Sequence, residues 1–317
     1  MNLSDNRLCG VWDEYGTQKG NYNSEGIHAI ADALHVNGGL TSLNLSSNQL
    51  CGLDNRGRGT YTAEGISAIA DALRVNGTFG ALTSVELSGN KLGDKGWGAI
   101  FAAICGNKDS KITSLNAEHE NIGPAGVKLI TEALRTSVTG GLTVTNLLGN
   151  KLDAEYAKML AEVAKQKGIS LCGIRRDQTT AYFSHKALQP PDAILLASDL
   201  SQTVVTGSLT SLNLSENQLC SLDRHGRGTH TAEGIIAIAD ALRVNGSLTK
   251  IDVSWNSFGP EGAKVFADAL RVNGALIECD ISNNGMGSWS GMGIMGKEGE
   301  ALIRKAMQGK AGFKLRI

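Results

Sequence analysis

Residues 41–77 and 210–246 carry nearly the same 37-residue segment twice. TSLNLSSNQLCGLDNRGRGTYTAEGISAIADALRVNG in the first half faces TSLNLSENQLCSLDRHGRGTHTAEGIIAIADALRVNG in the second. A chain that repeats itself this closely is built from a recurring supersecondary unit, and that constrains the fold more tightly than any local propensity.

Inside the long repeat lies a shorter one, L-x-x-L-x-L-x-x-N-x-L. It stands at Leu40-Leu43-Leu45-Asn48-Leu50, Leu82-Val85-Leu87-Asn90-Leu92, Leu209-Leu212-Leu214-Asn217-Leu219 and Leu248-Ile251-Val253-Asn256-Phe258. A further copy is Leu276-Cys279-Ile281-Asn284-Met286. Leu142-Thr145-Leu147-Asn150-Leu152 is weaker, and Ile112-Leu115-Ala117-Glu120-Ile122 has Glu120 in place of the asparagine. Leu43 and Leu45 are two apart, so they leave a short strand on the same side, with Ser42, Asn44 and Ser46 on the other. The asparagine then turns the chain, and its amide can satisfy backbone groups of its own bend and of the adjacent repeat. A helix follows: Thr62 is placed to cap it, and Ile66, Ile69, Ala70 and Leu73 fall on one face, with Asn76-Gly77 as the stop. Pro124 and Pro260 are placed in first helical turns.

Repeats of 28 residues (Leu248 to Leu276) and 30 residues (Leu82 to Ile112, Ile112 to Leu142) with this motif resemble the ribonuclease-inhibitor-like class of leucine-rich-repeat proteins. The resemblance implies an α/β, right-handed leucine-rich-repeat solenoid (horseshoe), with parallel strands on the concave face and helices on the convex face. The whole chain, 1–317, is expected to form a single array of about nine units. Residues 168–208 are irregular. Ile169–Ile174 reads as an extra extended segment, Ala181, Phe183 and Leu188 as a degenerate repeat, and Pro190-Pro191-Asp192 as a helix start. The region is either a diverged repeat within one array or a junction between two sub-arrays. Leu3-Asn6-Leu8 begins mid-motif, so a fragment or an uncapped N-terminus is expected. Phe313–Ile317 reads as a closing strand.

Composition narrows the function classes. Lys+Arg 30 against Asp+Glu 31 gives no electrostatic reason to expect nucleic acid. No apolar stretch has membrane-spanning length, and no signal segment opens the chain, so a cytoplasmic protein without membrane association is expected. Six cysteines without a C-x-x-C pair read as reduced, buried thiols, with a Cys9–Cys51 disulfide as the alternative. No cofactor motif is present. Gly57-Arg58-Gly59-Thr60 lacks phosphate-loop spacing and reads as a turn. His225 and His230 invite a metal reading, but their counterparts in the first copy are Arg56 and Tyr61, so no metal is expected.

The expected function is therefore non-enzymatic: a protein-interaction scaffold that binds a protein partner through the concave face and the rim loops, as the resemblance implies. The candidate concave-face residues are Asn44, Glu86, Asn116, Glu118, Asn213, Asp252, Trp255, Glu278 and Asp280. An exposed tryptophan among carboxylates suits a basic, partly apolar protein segment. Gly-rich insertions at Cys9–Ser24, Cys51–Thr62 and Cys220–Thr231 add the rim candidates Asp54, Arg56, Arg58, Asp223, His225 and Arg227. Two other roles fit less well: a GTPase-activating-protein-like regulator of a small GTPase, for which no motif can be carried over, and a structural subunit of a larger assembly.

Overall fold

The computed structural model describes residues 1–54, 56–75, 81–138, 140–223, 226–285 and 296–317, with side chains from 299 onward in the last segment. The sequence expectations for Asn76-Gly77, His225 and Met286 lie outside the described residues. The chain forms two compact units, Met1–Ile169 and Ser170–Ile317.

The first unit opens with a hairpin, β1 (Trp12–Glu14) and β2 (Thr17–Lys19), and α1 (Glu25–Val36). It continues as β3 (Ser42–Asn44), α2 (Glu64–Val75), β4 (Ser84–Glu86), α3 (Gly93–Gly106), β5 (Ser114–Asn116), α4 (Pro124–Arg135), β6 (Val144–Asn146) and α5 (Ala154–Lys167). Strands β3 to β6 form a parallel sheet in chain order, and a parallel bridge from Asn2 to Asn44 extends its edge. The register places Leu43, Val85, Leu115 and Thr145 in one row, all buried. Alternation does the rest, because a three-residue strand with a buried centre leaves its two flanking side chains on the opposite face. Successive helices pack beside one another and cover the apolar row. In α2 the stripe Ile66, Ile69, Ala70 and Leu73 is buried, as the spacing predicts.

The second unit runs β7 (Thr180–Tyr182), α6 (Pro190–Leu200), the single turn α7 (Thr203–Thr206), β8 (Ser211–Asn213), α8 (Glu233–Val244), β9 (Lys250–Asp252), α9 (Gly259–Val272), β10 (Glu278–Asp280), α10 (Gly296–Ala306) and β11 (Lys314–Arg316). Strands β7 to β11 make a second parallel sheet in chain order. Its buried row is Ala181, Leu212, Ile251 and Cys279, and Leu315 continues it opposite Cys279. The degenerate motif around Ala181 thus supplies a strand in full register with its neighbour. Each unit is an α/β leucine-rich-repeat solenoid.

The motif asparagines hold successive turns together. Asn90 donates from Nδ2 to the carbonyls of Leu87 (2.8 Å) and, one repeat back, Leu45 (2.9 Å). Its Oδ1 accepts the N–H of Asn48 at 2.8 Å. Asn48, Asn150, Asn217, Asn256 and Asn284 each likewise donate to a carbonyl of their own turn and to one in the preceding repeat. Glu120, at the same motif position, has no amide to donate. It accepts instead, from the N–H of Gly89 (2.8 Å) and the indole N–H of buried Trp97 (3.3 Å). Burial raises its carboxyl pKa, with those two bonds and Lys91 acting against it.

Residues 169–174 form no full strand, but Ser170 and Cys172 each make a β-bridge, so the extended segment expected there is present in broken form. Two side chains hold it. Asp199, fully buried in α6, accepts the hydroxyl of Ser170 (2.6 Å) and the N–H groups of Leu171 (2.9 Å) and Cys172 (3.1 Å). The Ser170 hydroxyl oxygen in turn accepts the N–H of Ile174 at 3.0 Å. Burial pushes the Asp199 pKa up to about 6, against the pull of these donors.

Candidate functional site

Strands β3 to β6 and β8 to β10 each end in an acidic or amide residue, and two positions later often stands a serine. That spacing closes a local turn in which the side-chain oxygen mimics a backbone carbonyl. The Oδ1 of Asn44 accepts both the N–H (2.9 Å) and the hydroxyl (2.7 Å) of Ser46. Asn213 does the same with Ser215 (2.9 and 2.8 Å), Asp252 with Ser254 (3.0 and 2.7 Å), and Asp280 with Ser282 (3.0 and 2.7 Å). Asn116 takes the N–H of Glu118 (3.2 Å) and Glu86 that of Ser88 (3.2 Å). These candidates do stand on the solvent side of the strands, but one oxygen of each also shapes the backbone.

Glu118 and Trp255 are not strand residues. The strands are shorter than the motif suggests, and both side chains lie in the turn that follows. Glu118 accepts the amide of Asn146 at 3.0 Å and has His119 beside it at 3.7 Å. Trp255 belongs to a column of turn residues with left-handed backbone: His185 (φ 57), Glu216 (φ 56), Trp255 (φ 58) and Asn283 (φ 58). Backbone bonds from His185 to Ser215, Glu216 to Ser254 and Trp255 to Ser282 lock that column. Trp255 is half exposed, at 50%.

The strand face of the second unit is electrically mixed. Lys250, Glu278 and Lys314 form one cross-strand row, and Asp252, Asp280 and Arg316 the next. Lys250 meets Glu278 at 2.8 Å and Arg316 approaches Asp280 at 3.6 Å. The bond from Lys250, with Lys314 and Arg316 nearby, holds the Glu278 carboxyl below the ordinary value. Glu278 and Asp280 therefore carry cations of their own. Around them stand three exposed apolar side chains: Tyr182 (73%), Trp255 and Ile277 (61%). Sequence reasoning missed Tyr182 and Ile277. Ile277 sits where the preceding strands are entered through Thr210 and Thr249, whose hydroxyls bond back to Thr179 and Thr210.

The rim insertions close on themselves. Gly57 donates to the carbonyl of Asp54 (2.8 Å), and Asp54 to that of Arg58 (2.9 Å). The buried Asp54 side chain accepts the N–H groups of Arg56 and Arg58 and the Arg58 Nε, each at 2.9 Å. Burial alone would raise its pKa; the bonds from Arg58 and Arg56 outweigh that and lower it. The second insertion repeats the device: Asp223 accepts the N–H (2.9 Å) and Nε (2.7 Å) of Arg227. Gly59 (φ 123) and Gly228 (φ 127) follow, and a Cβ there would come within 2.4 Å of the Gly52 carbonyl oxygen and 2.1 Å of the Ser221 oxygen. Only glycine fits. Three aromatic residues, Tyr22, Tyr61 and His230, hold the insertions to the next repeat: the hydroxyls of Tyr22 and Tyr61 donate to Leu50 (3.2 Å) and Leu92 (2.9 Å), and His230 Nε2 lies 3.1 Å from the Ser257 carbonyl. His230 is thus the counterpart of two tyrosines and makes the same kind of contact.

All six cysteines are buried and free. Burial raises the thiols of Cys9 and Cys105 to about 11 and those of Cys51 and Cys220 to about 12. No helix among the described residues is long and apolar enough to cross a membrane.

A family model described as "Leucine Rich repeat" matches residues 82–101 and 244–267, one stretch in each unit. No curated protein matches the sequence. Among solved structures, a Caenorhabditis elegans tropomodulin C-terminal domain aligns over 78% of this chain and 92% of its own, at 14% identity and a TM-score of 0.26. The repeated motif, the parallel sheets in chain order and the asparagine bonds between repeats agree with the family match: the chain is a leucine-rich-repeat protein.

Proposed function

We propose that the protein is a non-catalytic recognition module that binds a protein partner on the strand face of its second unit. Trp255 carries this reading. A bulky side chain in left-handed backbone is held at a cost of order 1–3 kcal/mol, and such strain clusters where a side chain is kept for function. The equivalent position is left-handed in the other repeats as well, and there it holds glycine (Gly89, φ 72; Gly149, φ 70) or a smaller polar residue (Ser47, φ 55; His119, φ 57; Glu216, φ 56), so the conformation belongs to the turn and what is particular to Trp255 is its bulk. Burial offsets that cost only in part, because half of Trp255 faces solvent. With Tyr182 and Ile277 it offers apolar anchors set among charge pairs, the composition of an interface centre.

The charge rows sharpen the partner. Because Lys250, Lys314 and Arg316 alternate with Asp252, Glu278 and Asp280, a partner carrying both signs fits this face better than a uniformly basic one. Asn44, Glu86, Asn116 and Asn213 then supply polar positions on the strand faces of the two units rather than the anchor. The test is capture of partners on the immobilised full chain, followed by Trp255→Ala and Lys250→Ala. The reading expects a partner held by the wild type and released by Trp255→Ala while the fold is retained. Partners bound equally by both proteins would remove it.

A further inference from the structure

The first unit contains a small complex with itself. Its hairpin, β1–β2, lies against the next rim insertion. There the Arg58 guanidinium bonds both the Asp13 carboxylate and the Gly16 carbonyl oxygen, and Arg56 Nε reaches the same carboxylate at 3.3 Å. The hairpin turn is prepared for this, since the N–H of Gly16 donates to Asp13 Oδ1 at 3.1 Å and leaves Oδ2 for the arginines. Gly59 admits the Gln18 side chain, whose amide nitrogen lies 2.8 Å from where a Cβ would stand. Engaged in this way, Arg58 is 35% exposed.

The second unit repeats the Asp–Gly–Arg–Gly part of this receptor without the hairpin, with His225 in the sequence where Arg56 stands. Asp223, Gly226, Arg227 and Gly228 reproduce Asp54, Gly57, Arg58 and Gly59 in sequence and in backbone bonds, and the glycines do so in φ. Asp223 grips Nε and Nη2 of Arg227 at 2.7 Å each, as Asp54 grips Nε and Nη2 of Arg58. The preceding repeat, however, runs from Leu188 through Gln189 straight into α6. Among the described residues Arg227 bonds Asp223 alone, and its side chain is 77% exposed. An arginine whose inner edge is fixed by a carboxylate presents the rest of its planar donor set outward with little orientational freedom left to lose.

We infer that the Arg227 loop is a binding site for an acidic β-turn on another protein: a carboxylate with a main-chain carbonyl three residues on, as Asp13 and Gly16 present to Arg58. The ligand class is read from the chain's own bound copy, and the inference does not depend on the strand-face reading above.

A backbone-cyclised peptide carrying residues 11–20 serves as probe, titrated into the full chain at low salt with binding read by calorimetry. The resident hairpin, tethered at high effective concentration, keeps the peptide off the first unit. The expected result is a dissociation constant below about 1 mM. Arg227→Ala in the protein, or Asp13→Asn in the peptide, weakens it about tenfold or more. The peptide variant needs no refolding of the protein, so a stability defect in Arg227→Ala does not blur the outcome. Absence of binding at several millimolar, equal binding by Asp13→Asn peptide, or binding that survives Arg227→Ala and disappears in Arg58→Ala would each overturn the inference.

Discussion

The side-chain oxygen of Asn90 accepts the backbone N–H of Asn48 at 2.8 Å, a bond that spans 42 residues of sequence and joins two successive turns. Its amide group closes the same junction from the other side, on Leu45 and Leu87. One buried side chain therefore satisfies groups of two repeats at once, where an exposed loop would use water.

Asn90→Ala removes the amide from the Leu87 carbonyl and the acceptor from the N–H groups of Asn48 and Leu50, while the Leu45 carbonyl keeps the Asn48 amide at 3.0 Å. Each buried unsatisfied group costs about 1–3 kcal/mol. Urea unfolding should show a loss of about 3 kcal/mol or more, and a loss below about 0.5 kcal/mol would mean that water replaces the amide and the ladder adds little.

Trp255→Gly runs the other way. Glycine relieves the left-handed backbone, so stability should be unchanged or raised by up to about 1 kcal/mol while partner binding falls. A clear drop in unfolding free energy would make Trp255 a packing residue and undercut its proposed role.

Asp199 predicts a pH dependence with a definite sign. Its folded pKa of about 6 lies above the ordinary aspartate value, so the folded state binds the proton more tightly than the unfolded state. Its contribution is fully present at low pH and is lost as pH rises from about 4 towards 6, amounting to about 3 kcal/mol if the unfolded pKa is ordinary. Chemical denaturation across that range should show this slope in the wild type and not in Asp199→Asn; superimposable slopes would contradict it.

The two rim clamps allow a matched comparison. Asp54 has no solvent-exposed side-chain surface and Asp223 has 22%. Asp54→Ala should therefore destabilise by about 2–3 kcal/mol, the scale for bonds to a buried charged acceptor, and Asp223→Ala by clearly less. Equal losses would show that burial is not what separates them.

The thiols give a further check. With every cysteine buried, and burial raising the thiols of Cys9 and Cys105 to about 11 and those of Cys51 and Cys220 to about 12, a thiol reagent at pH 8 should find none reactive in the native protein and six after denaturation. Prompt native reactivity of even one thiol would show that its repeat opens.

Much of this was legible in the chain because the repeat exposes what is periodic. Leu43, Val85, Leu115, Leu212 and Ile251 sit at motif positions and all face inward. The asparagines were legible too, since a turn residue recurring after most of the motif strands has to serve the turn. What misled was local. Trp255 reads as a strand residue if the strand is taken to run as far as the leucines do. Yet the Asp252-x-Ser254 spacing marks an early turn, and that signal is visible in the sequence. The spacing of Asp54 to Arg58 likewise shows an internal clamp, and aligning Tyr22, Tyr61 and His230 shows one role in three insertions. Asp199 had no such signal. Its partners at 170–172 lie almost 30 residues away in a stretch without a motif, and only folding brings them together. The pairing of Trp97 with Glu120 was hidden for the same reason.

The central claim is that the strands stack side by side in register within each unit, with one face left to solvent. Nitroxides at Ser211→Cys and Lys314→Cys test it directly, since the native thiols are buried. These residues lie in the same cross-strand row, three strand spacings apart, or roughly 14–15 Å between backbones. The account expects a single short electron–electron distance between roughly 10 and 25 Å. A distance beyond roughly 35 Å, or no defined distance, would contradict the stacked sheet on which the rest depends.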